Sequence, residues 1–524
     1  MSSTEAGQIP LGSRLGRIVL AVTILGTSVA MLMGTVVNVA LPSIGDDLGA
    51  DTAGQQWVVN GYLLTLAGLI LVGGSLGDRF GRVRVYRIGV AWFALTSLAC
   101  ALAPSTGWLI GARLLQGVGG ALLTPGSLSI LEATIAESDR GRAIGWWAGL
   151  TGIAAATGPL IGGLLITASW RWAFLINVPV AVVVFVLAPR VPETSDPAAE
   201  GTSLDIGGGV LALLALGGAI YAIIRSSADR FGWTGWTAIG LAVVTAVWLG
   251  RHERHAEHPM VPLGLFANRR FAAANAITLL VYGGLGIVFF LVSIHLQVVV
   301  GWSALAAGAA LLPVTALMLA LSSTFGDLAQ RFGPRWFLTG GPLLIAVGMV
   351  LIGGVGADAE YVSDVLPGVA VFGLGLAVSV APVTSTALGS VPEERSGAAS
   401  GANNAIARAG QLLTVAAIPP LVGLGGDALN RAEELAPRFP SAMGVGAGLV
   451  TIGALVAVTL LRNEDTAEPA ITSPRSCSLD GPPVGLRRAP LGQPGRQPAP
   501  PTPTRPSVSP DPPRVVEDVD PGSP

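Results

Sequence analysis

Long apolar runs alternate with short polar segments along almost the whole chain. Fourteen runs approach the roughly 20 residues a helix needs to cross a bilayer, centred near residues 28, 66, 95, 120, 155, 181, 216, 243, 284, 314, 346, 376, 410 and 452. The eighth, about 235–250, is the shortest, and dropping it would make the count odd. The first, about 17–41, is too long for the core of a signal peptide, roughly 7–15 residues, and reads as a retained helix. The pattern predicts an all-α polytopic membrane protein.

Arginine placement orients these runs, because positive residues stay on the cytoplasmic side. Starting inside, alternate segments hold Arg14 and Arg17; Arg79, Arg82 and Arg84; Arg140 and Arg142; Arg190; Arg251, Arg254, Arg269 and Arg270; Arg331 and Arg335; Arg395; and Arg462. The other segments hold fewer: Arg171, Arg225, Arg230, Arg431 and Arg438. The first of them carries Asp46, Asp47 and Asp51 instead. This alternation predicts fourteen crossings with both termini cytoplasmic.

Composition agrees. The chain is 51% hydrophobic and 12% charged, against about 25% charged in an ordinary soluble protein. Lipid can cover that apolar surface where a single soluble core cannot. A net charge of −2 gives no electrostatic case for nucleic acid. Two cysteines, Cys100 in an apolar run and Cys477 in a polar tail, indicate neither a disulfide framework nor a thiolate metal site. Every cation is Arg, and Ala, Gly, Val and Pro are in excess, which points to a bacterial genome rich in GC and so to a bacterial cytoplasmic membrane. From 463 onward the chain holds sixteen of its 37 prolines and little apolar periodicity, so 463–524 is expected to be a disordered cytoplasmic tail.

The chain also repeats itself. Gly74-Ser-Leu-Gly-Asp78-Arg79-Phe-Gly81-Arg82 and Gly326-Asp-Leu-Ala-Gln330-Arg331-Phe-Gly333-Pro334 share Gly, Arg, Phe and Gly at identical spacing, 252 residues apart. Arg140-Gly-Arg-Ala-Ile-Gly145 resembles Arg395-Ser-Gly-Ala-Ala-Ser-Gly401. Duplicated halves are common in membrane transporters. The expected organisation is therefore a cytoplasmic N-terminus over 1–16, a six-helix half over 17–189, a linker over 190–270 with two inserted helices (about 206–226 and 235–250), and a second six-helix half over 271–462.

Several residues in this frame carry chemistry. The glycines around Asp78 permit a tight turn, and Asp78 can accept from arginines or cap a helix. It is either a gate contact or part of a positive-inside anchor. Arg113, Gln116, Gly117, Gly120, Thr124 and Ser127 share one face of the fourth helix at about 100° per residue. A cation within a span normally faces a cavity or a partner, so this stripe either lines the transport path or satisfies neighbouring carbonyls. Glu132, about 100° around from that face, is a proton-coupling candidate or an interfacial charge. Asn38 of the first helix is cavity-facing or interhelical. Gly145, Gly149, Gly152 and Gly163 form a bare stripe on the fifth helix, suited to close packing, and Pro159 permits a kink there. Asn403, Asn404 and Arg408 make the thirteenth run a further candidate for the path. His252, His255 and His258 with Glu253 and Glu257 read as solvated charge rather than a metal site, and His295 is a minor proton-group candidate. No P-loop or nucleophile elbow is present, so neither an ATP-driven pump nor an enzyme is indicated.

Gly74-x-x-x-Asp78-Arg79-x-Gly81-Arg82-x-Arg84 resembles the loop motif of the major facilitator superfamily. Arg113-x-x-Gln116-Gly117 resembles its helix-4 motif. Gly149-x-x-Gly152 followed by Gly158-Pro159-x-x-Gly162-Gly163 resembles its helix-5 antiporter motif. Thr35-Val-Val-Asn38-Val-Ala-Leu-Pro42, Gln56-Trp57 and Trp170-Arg171-Trp172-x-Phe174-x-Ile-Asn177-x-Pro179 resemble the fourteen-span drug:proton antiporter branch (EmrB/QacA type). The resemblance covers about residues 15–462. It implies the major facilitator fold, a monomer without cofactors, and proton-coupled export of a small lipophilic molecule by alternating access. One departure bears on coupling: that branch usually has an Asp two positions before the Thr of the helix-1 motif, and here Met33 stands there. Uptake or uncoupled movement through the same fold, and a membrane sensor or scaffold, are the alternatives.

Overall fold

The computed structural model describes residues 9–195, 205–226, 232–256, 263–392 and 395–461. The expected tail over 463–524, together with Glu257 and His258, lies outside the described residues. Within them the long helices, in chain order, are α1 (Arg14–Leu48), α2 (Thr52–Phe80), α3 (Arg82–Ala101), α4 (Thr106–Thr134), α5 (Glu137–Ile166), α6 (Trp172–Arg190), α7 (Ile206–Arg225), α8 (Trp233–His255), α9 (Arg269–Val298), α10 (Ala304–Phe332), α11 (Pro334–Gly353), α12 (Tyr361–Leu388), α13 (Ser396–Leu421) and α14 (Ala432–Leu460). The eighth helix is longer at both ends than the 235–250 expected from its apolar run.

Thirteen of these helices are long and apolar enough to cross a membrane. The exception is α13, where Asn403, Asn404, Arg408 and Gln411 dilute an otherwise apolar segment. Its 26 residues still extend about 39 Å at 1.5 Å per residue. Large side chains such as Trp92, Trp108, Trp233, Trp236 and Trp336 are exposed on the outer surface, as expected where lipid rather than protein covers the apolar faces.

The helices pack as two sixes with the same internal pattern. In the first, α2 lies on α4, α3 on α4 and α6, and α1 on α4, α5 and α6. In the second, α10 lies on α12, α11 on α12 and α14, and α9 on α12, α13 and α14. The sixes meet where α5 packs on α10, α2 on α13 and α1 on α9. The inserted pair α7 and α8 pack on each other, and α7 also lies against α2 and α13.

The backbone carries the repeat too. Gly49 (φ 63°) follows α1 and Gly301 (φ 78°) follows α9. Gly81 (φ 100°) and Gly333 (φ 85°) join α2 to α3 and α10 to α11. Each pair is 252 residues apart, the same offset as the sequence motif. These left-handed turns favour glycine because it has no Cβ.

Helix ends follow local chemistry. Ser13, Asp51, Ser105, Asp205, Asn268 and Ser303 cap α1, α2, α4, α7, α9 and α10, each side chain accepting from a first-turn amide. At the end opposite the arginine-rich loops, Asp47 ties the last turn of α1 to the loop between α5 and α6. It accepts from Trp170 Nε1 at 2.9 Å and Arg171 Nη1 at 2.7 Å, and the Arg171 guanidinium lies 4.4 Å from the Trp170 ring centroid.

Candidate functional site

A cavity of about 560 Å³ lies between the two sixes. On one side its wall comprises Gly34, Thr35 and Asn38 of α1, Val59 and Leu63 of α2, and Ala148 and Gly152 of α5. Facing them are Leu285, Gly286 and Phe289 of α9, Val314, Thr315, Met318, Leu319 and Ser322 of α10, Val380 of α12, and Gln411 and Val415 of α13. The wall is mostly apolar, with hydroxyls and amides set into it, and among the described residues no Asp or Glu lines it. Such a surface suits an amphipathic small molecule held by dispersion and a few oriented hydrogen bonds. Asn38 is placed for one of them: its amide donates to Gly34 O at 3.3 Å, while its Oδ1 has no partner among the described residues.

One end of the cavity is sealed by hydrogen bonds between the sixes. Gln56 Nε2 donates to Val415 O at 2.7 Å and Ala416 O at 3.0 Å. Gln55 Nε2 donates to Asn430 Oδ1 at 2.7 Å, Asn430 Nδ2 to Ala50 O at 3.2 Å, and Thr52 N to Gly426 O at 2.7 Å. Gln297 Nε2 reaches Val39 O at 3.1 Å. All of these lie toward the end away from the arginine-rich loops. In the other direction, the α5 face that presents Gly152 continues through Gly149 and Gly145. A Cβ at either would meet nothing within 4 Å, so this face of α5 stays uncovered toward the arginine-rich end.

The antiporter-motif glycines lie along close helix contacts. A Cβ on Gly158 would strike Thr35 Oγ1, and one on Gly162 would lie 3.1 Å from Val36 Cγ1, both on α1. A Cβ on Gly163 would lie 2.6 Å from Ala304 O and Leu305 Cα of α10, and one on Gly308 would strike Pro159 O. The second pair of contacts joins the two sixes. Gly152 instead lines the cavity, with Leu319 as its nearest neighbour across the gap.

The helix-4 stripe lies elsewhere. Arg113 is 1% exposed, and its Nε donates to Val58 O at 2.9 Å and its Nη1 to Gln116 Oε1 at 2.6 Å. Its guanidinium lies 4.5 Å from the Tyr62 ring centroid and 5.9 Å from that of Phe174. Gln116 passes the chain on to Ser97 Oγ at 2.7 Å. Thr124 bonds back to Gly120 O, and a Cβ on Gly117 would strike Thr65 Oγ1. All of these contacts fall within the first six helices, and none of the four residues lines the cavity. Periodicity identified a polar face, and the face turns toward α2 and α3. Glu132 is exposed near the end of α4 and does not line the cavity either.

In the loop motif Asp78 Oδ1 accepts from Arg82 Nε at 2.8 Å, and Arg82 Nη1 lies 3.5 Å from Ser129 O. Arg79 and Arg84 are exposed beside it, and Gly74 packs on Pro125. Glu193, a residue not singled out in the sequence, closes the start of α3: its carboxylate accepts from Val83 N at 2.8 Å and Arg84 N at 3.0 Å. A Cβ at Gly81 would lie 2.8 Å from that carboxyl carbon. Glu193 follows the end of α6 with no local pattern to mark it.

Arg408 sits at the middle of α13, half-buried, with Nη2 3.7 Å from Met31 Sδ. Tyr62 and Tyr282 lie within electrostatic range of it. The described histidines form no cluster. His252 pairs with Asp205 at 2.6 Å and His255 Nδ1 donates to Arg251 O at 2.8 Å. Among the described residues no group of three or more His, Cys, Asp or Glu could hold a metal. His295 is buried between Val355 O, at 2.9 Å, and the Phe439 ring stacked at 3.8 Å, away from the cavity.

Known proteins share this arrangement. A family model described as Major Facilitator Superfamily matches residues 23–415. The chain is 35% identical over 400 residues to the multidrug resistance protein Stp of Mycobacterium tuberculosis, covering 74% of this chain and 72% of Stp. It is 34% identical over 411 residues to the tetracenomycin C resistance and export protein of Streptomyces glaucescens, covering 76% and 75%. Among solved structures, the bacterial homolog of the human lysosomal transporter Spinster superposes with a TM-score of 0.61 at 17% identity, covering 85% of this chain and 97% of that one.

Proposed function

The chain belongs to the Major Facilitator Superfamily, and from that premise we propose that it exports small amphipathic molecules, drugs or a secreted metabolite, by alternating access. It is a multi-pass bacterial membrane transporter of the drug-efflux kind rather than an enzyme, in a superfamily that generally needs no cofactor. The observation that carries the mechanism is the cavity between the sixes, closed at one end by hydrogen bonds across them, with the α5 face uncovered toward the other. We take the arginine-rich end as cytoplasmic, so this conformation faces inward, with fourteen crossings counting α13. The halves are 17–189 and 271–462, joined by the linker and inserted helices over 190–270, and the transporter acts as a monomer.

In this reading, rocking one half on the other breaks the outer hydrogen bonds and closes the inner end. The bare face of α5 serves as the hinge surface, because glycine contacts with α1 and α10 let helices slide with little side-chain repacking. Asp78 and Arg82, at the arginine-rich end, are free to exchange partners when that end closes.

The resemblance implies that protons drive export; the candidate carboxylate is then Glu132, exposed near the end of α4. A second reading, gradient use without a proton-binding carboxylate in the cavity, is favoured by Met33 and by a lining without Asp or Glu. The test of export is accumulation of a panel of dyes and antibiotics of both charges in an efflux-deficient bacterium expressing the chain, with and without a protonophore. Accumulation that falls on expression and recovers with the protonophore is the expected result. No change for any compound would remove the drug-export reading.

A further inference from the structure

The charges in the long helices are distributed unevenly. Every described Asp or Glu within them lies within six residues of a helix end: Asp46 and Asp47 close α1, Asp78 ends α2, Glu132 ends α4, Glu137 and Asp139 open α5, Glu253 ends α8, Asp327 lies near the end of α10, Asp364 lies near the start of α12, and Glu433 and Glu434 open α14. Arg408 is at the opposite extreme, halfway along α13. No described carboxylate forms an ion pair with it, and its side-chain contact is the neutral Met31 thioether.

Arg408 is not part of the cavity's lining but lies one helical turn before it. Gln411 and Val415 follow it by three and seven residues on α13, and Gly34, Thr35 and Asn38 follow Met31 by three, four and seven on α1. These spacings keep each set on one helix face. The Arg408–Met31 contact therefore lies about one turn from the lining on both helices, toward the arginine-rich end from which cargo enters. A guanidinium offers a planar fork of donors that matches carboxylates, sulfonates and phenolates. A cation at the middle of a span is held at a cost unless a partner completes it; Tyr62 and Tyr282 lie within electrostatic range, and no described Asp or Glu pairs with it.

We infer that the cargo itself is anionic, that Arg408 pairs with its acidic oxygen, and that export is driven by the membrane potential acting on the cargo's own charge. This rests on the exporter reading above and adds the charge class and the driving force. An inside-negative potential pushes anions outward, worth about a 50-fold concentration ratio per charge for each tenth of a volt. No proton-binding carboxylate is needed in the cavity, which accounts together for Met33, for the acid-free lining and for the position of Arg408.

The test uses the full-length chain in proteoliposomes with three xanthene dyes of similar size: a sulfonated anion, a cationic rhodamine ester and a neutral reference. A potassium gradient with valinomycin sets the potential, and a pH gradient is imposed separately at zero potential. The expected result is movement of the anion toward the positive side, following the potential and indifferent to the pH gradient. Arg408→Gln should lower the preference for the anion over the neutral dye about 10- to 100-fold, the loss of one charge-assisted hydrogen bond, and Arg408→Lys should keep most of it. Because preference is a ratio within one preparation, reduced folding of a variant does not mimic the effect. Movement of the cation in place of the anion, transport that follows only the pH gradient, or unchanged preference in Arg408→Gln would overturn this inference and leave export standing. No movement of any dye under either gradient would overturn both.

Discussion

Replacing Gln56 by Ala should open the sealed end without unfolding either half. Gln56 is fully buried near the start of α2, and its amide spans the interface to Val415 O and Ala416 O. Each hydrogen bond contributes about 0.5–1.5 kcal/mol net, so the seal loses about 1–3 kcal/mol. Those bonds exist only while the two sixes touch at this end, so the loss falls on the inward-facing state and not on helix formation. A change of that size shifts a two-state equilibrium by roughly 5- to 150-fold. The assay is a distance distribution between spin labels at Ala53, on the first turn of α2, and Leu421, the exposed last residue of α13, in the full chain in nanodiscs. Wild type should give mainly the short distance, and Gln56→Ala a larger long-distance population. Gln116→Ala is the control: it too removes a buried amide, but one bonded within its own half to Arg113 and Ser97. An unchanged distribution in Gln56→Ala, or an equal shift in Gln116→Ala, would refute the assignment of these bonds as the outer seal.

Gly163→Ala should push the same labels apart, because the new Cβ would lie 2.6 Å from backbone atoms of Ala304 and Leu305 and overpacking costs about 1–3 kcal/mol; Gly149→Ala, with open space around it, should leave the distance as in wild type. Glu193→Ala removes the cap on the first turn of α3 and should lower the melting temperature in detergent, by the equivalent of about 0.5–1 kcal/mol for an exposed cap; an unchanged melt would show that the cap contributes nothing. Arg113→Leu removes the side-chain donor to Val58 O, which keeps its helical bond, and leaves Gln116 Oε1 only the weak Cys100 Sγ contact at 3.9 Å, about 1–3 kcal/mol in all, so the yield of folded protein should fall while the survivors keep their cargo preference. A changed preference at normal stability would place Arg113 on the path after all.

The helices were legible because crossing a bilayer demands length and apolarity together, and the repeat was legible because two tight turns need glycine at matched positions. The thirteenth helix shows the limit. Asn403, Asn404, Arg408 and Gln411 dilute its apolar content, and the run near residue 410 was supported as a crossing by the arginine alternation on either side of it. Candidate site residues were legible as a set of polar positions, but not as a geometry. The face holding Arg113 and Gln116 has the polarity of a path wall, and only the position of α2 and α3 turns it into an internal staple. The converse holds for Phe289, Leu285 and Met318, which line the cavity yet look like packing in any apolar run. Glu193 carries no pattern because its partners, the amides of Val83 and Arg84, are more than 100 residues away.

The central claim is that cargo passes through the cavity between the two sixes. Gly152→Trp tests it most directly, since it puts a large side chain into that space, where the nearest neighbour of a Cβ is Leu319 Cδ2 at 3.8 Å. Gly448→Trp is the matched control on an exposed face of α14, where a Cβ meets nothing within 4 Å. Energised dye efflux would be measured for both in proteoliposomes, with equal incorporation confirmed. Efflux abolished in Gly152→Trp and retained in Gly448→Trp is the predicted result; efflux at wild-type rate with Trp at 152 would contradict the account.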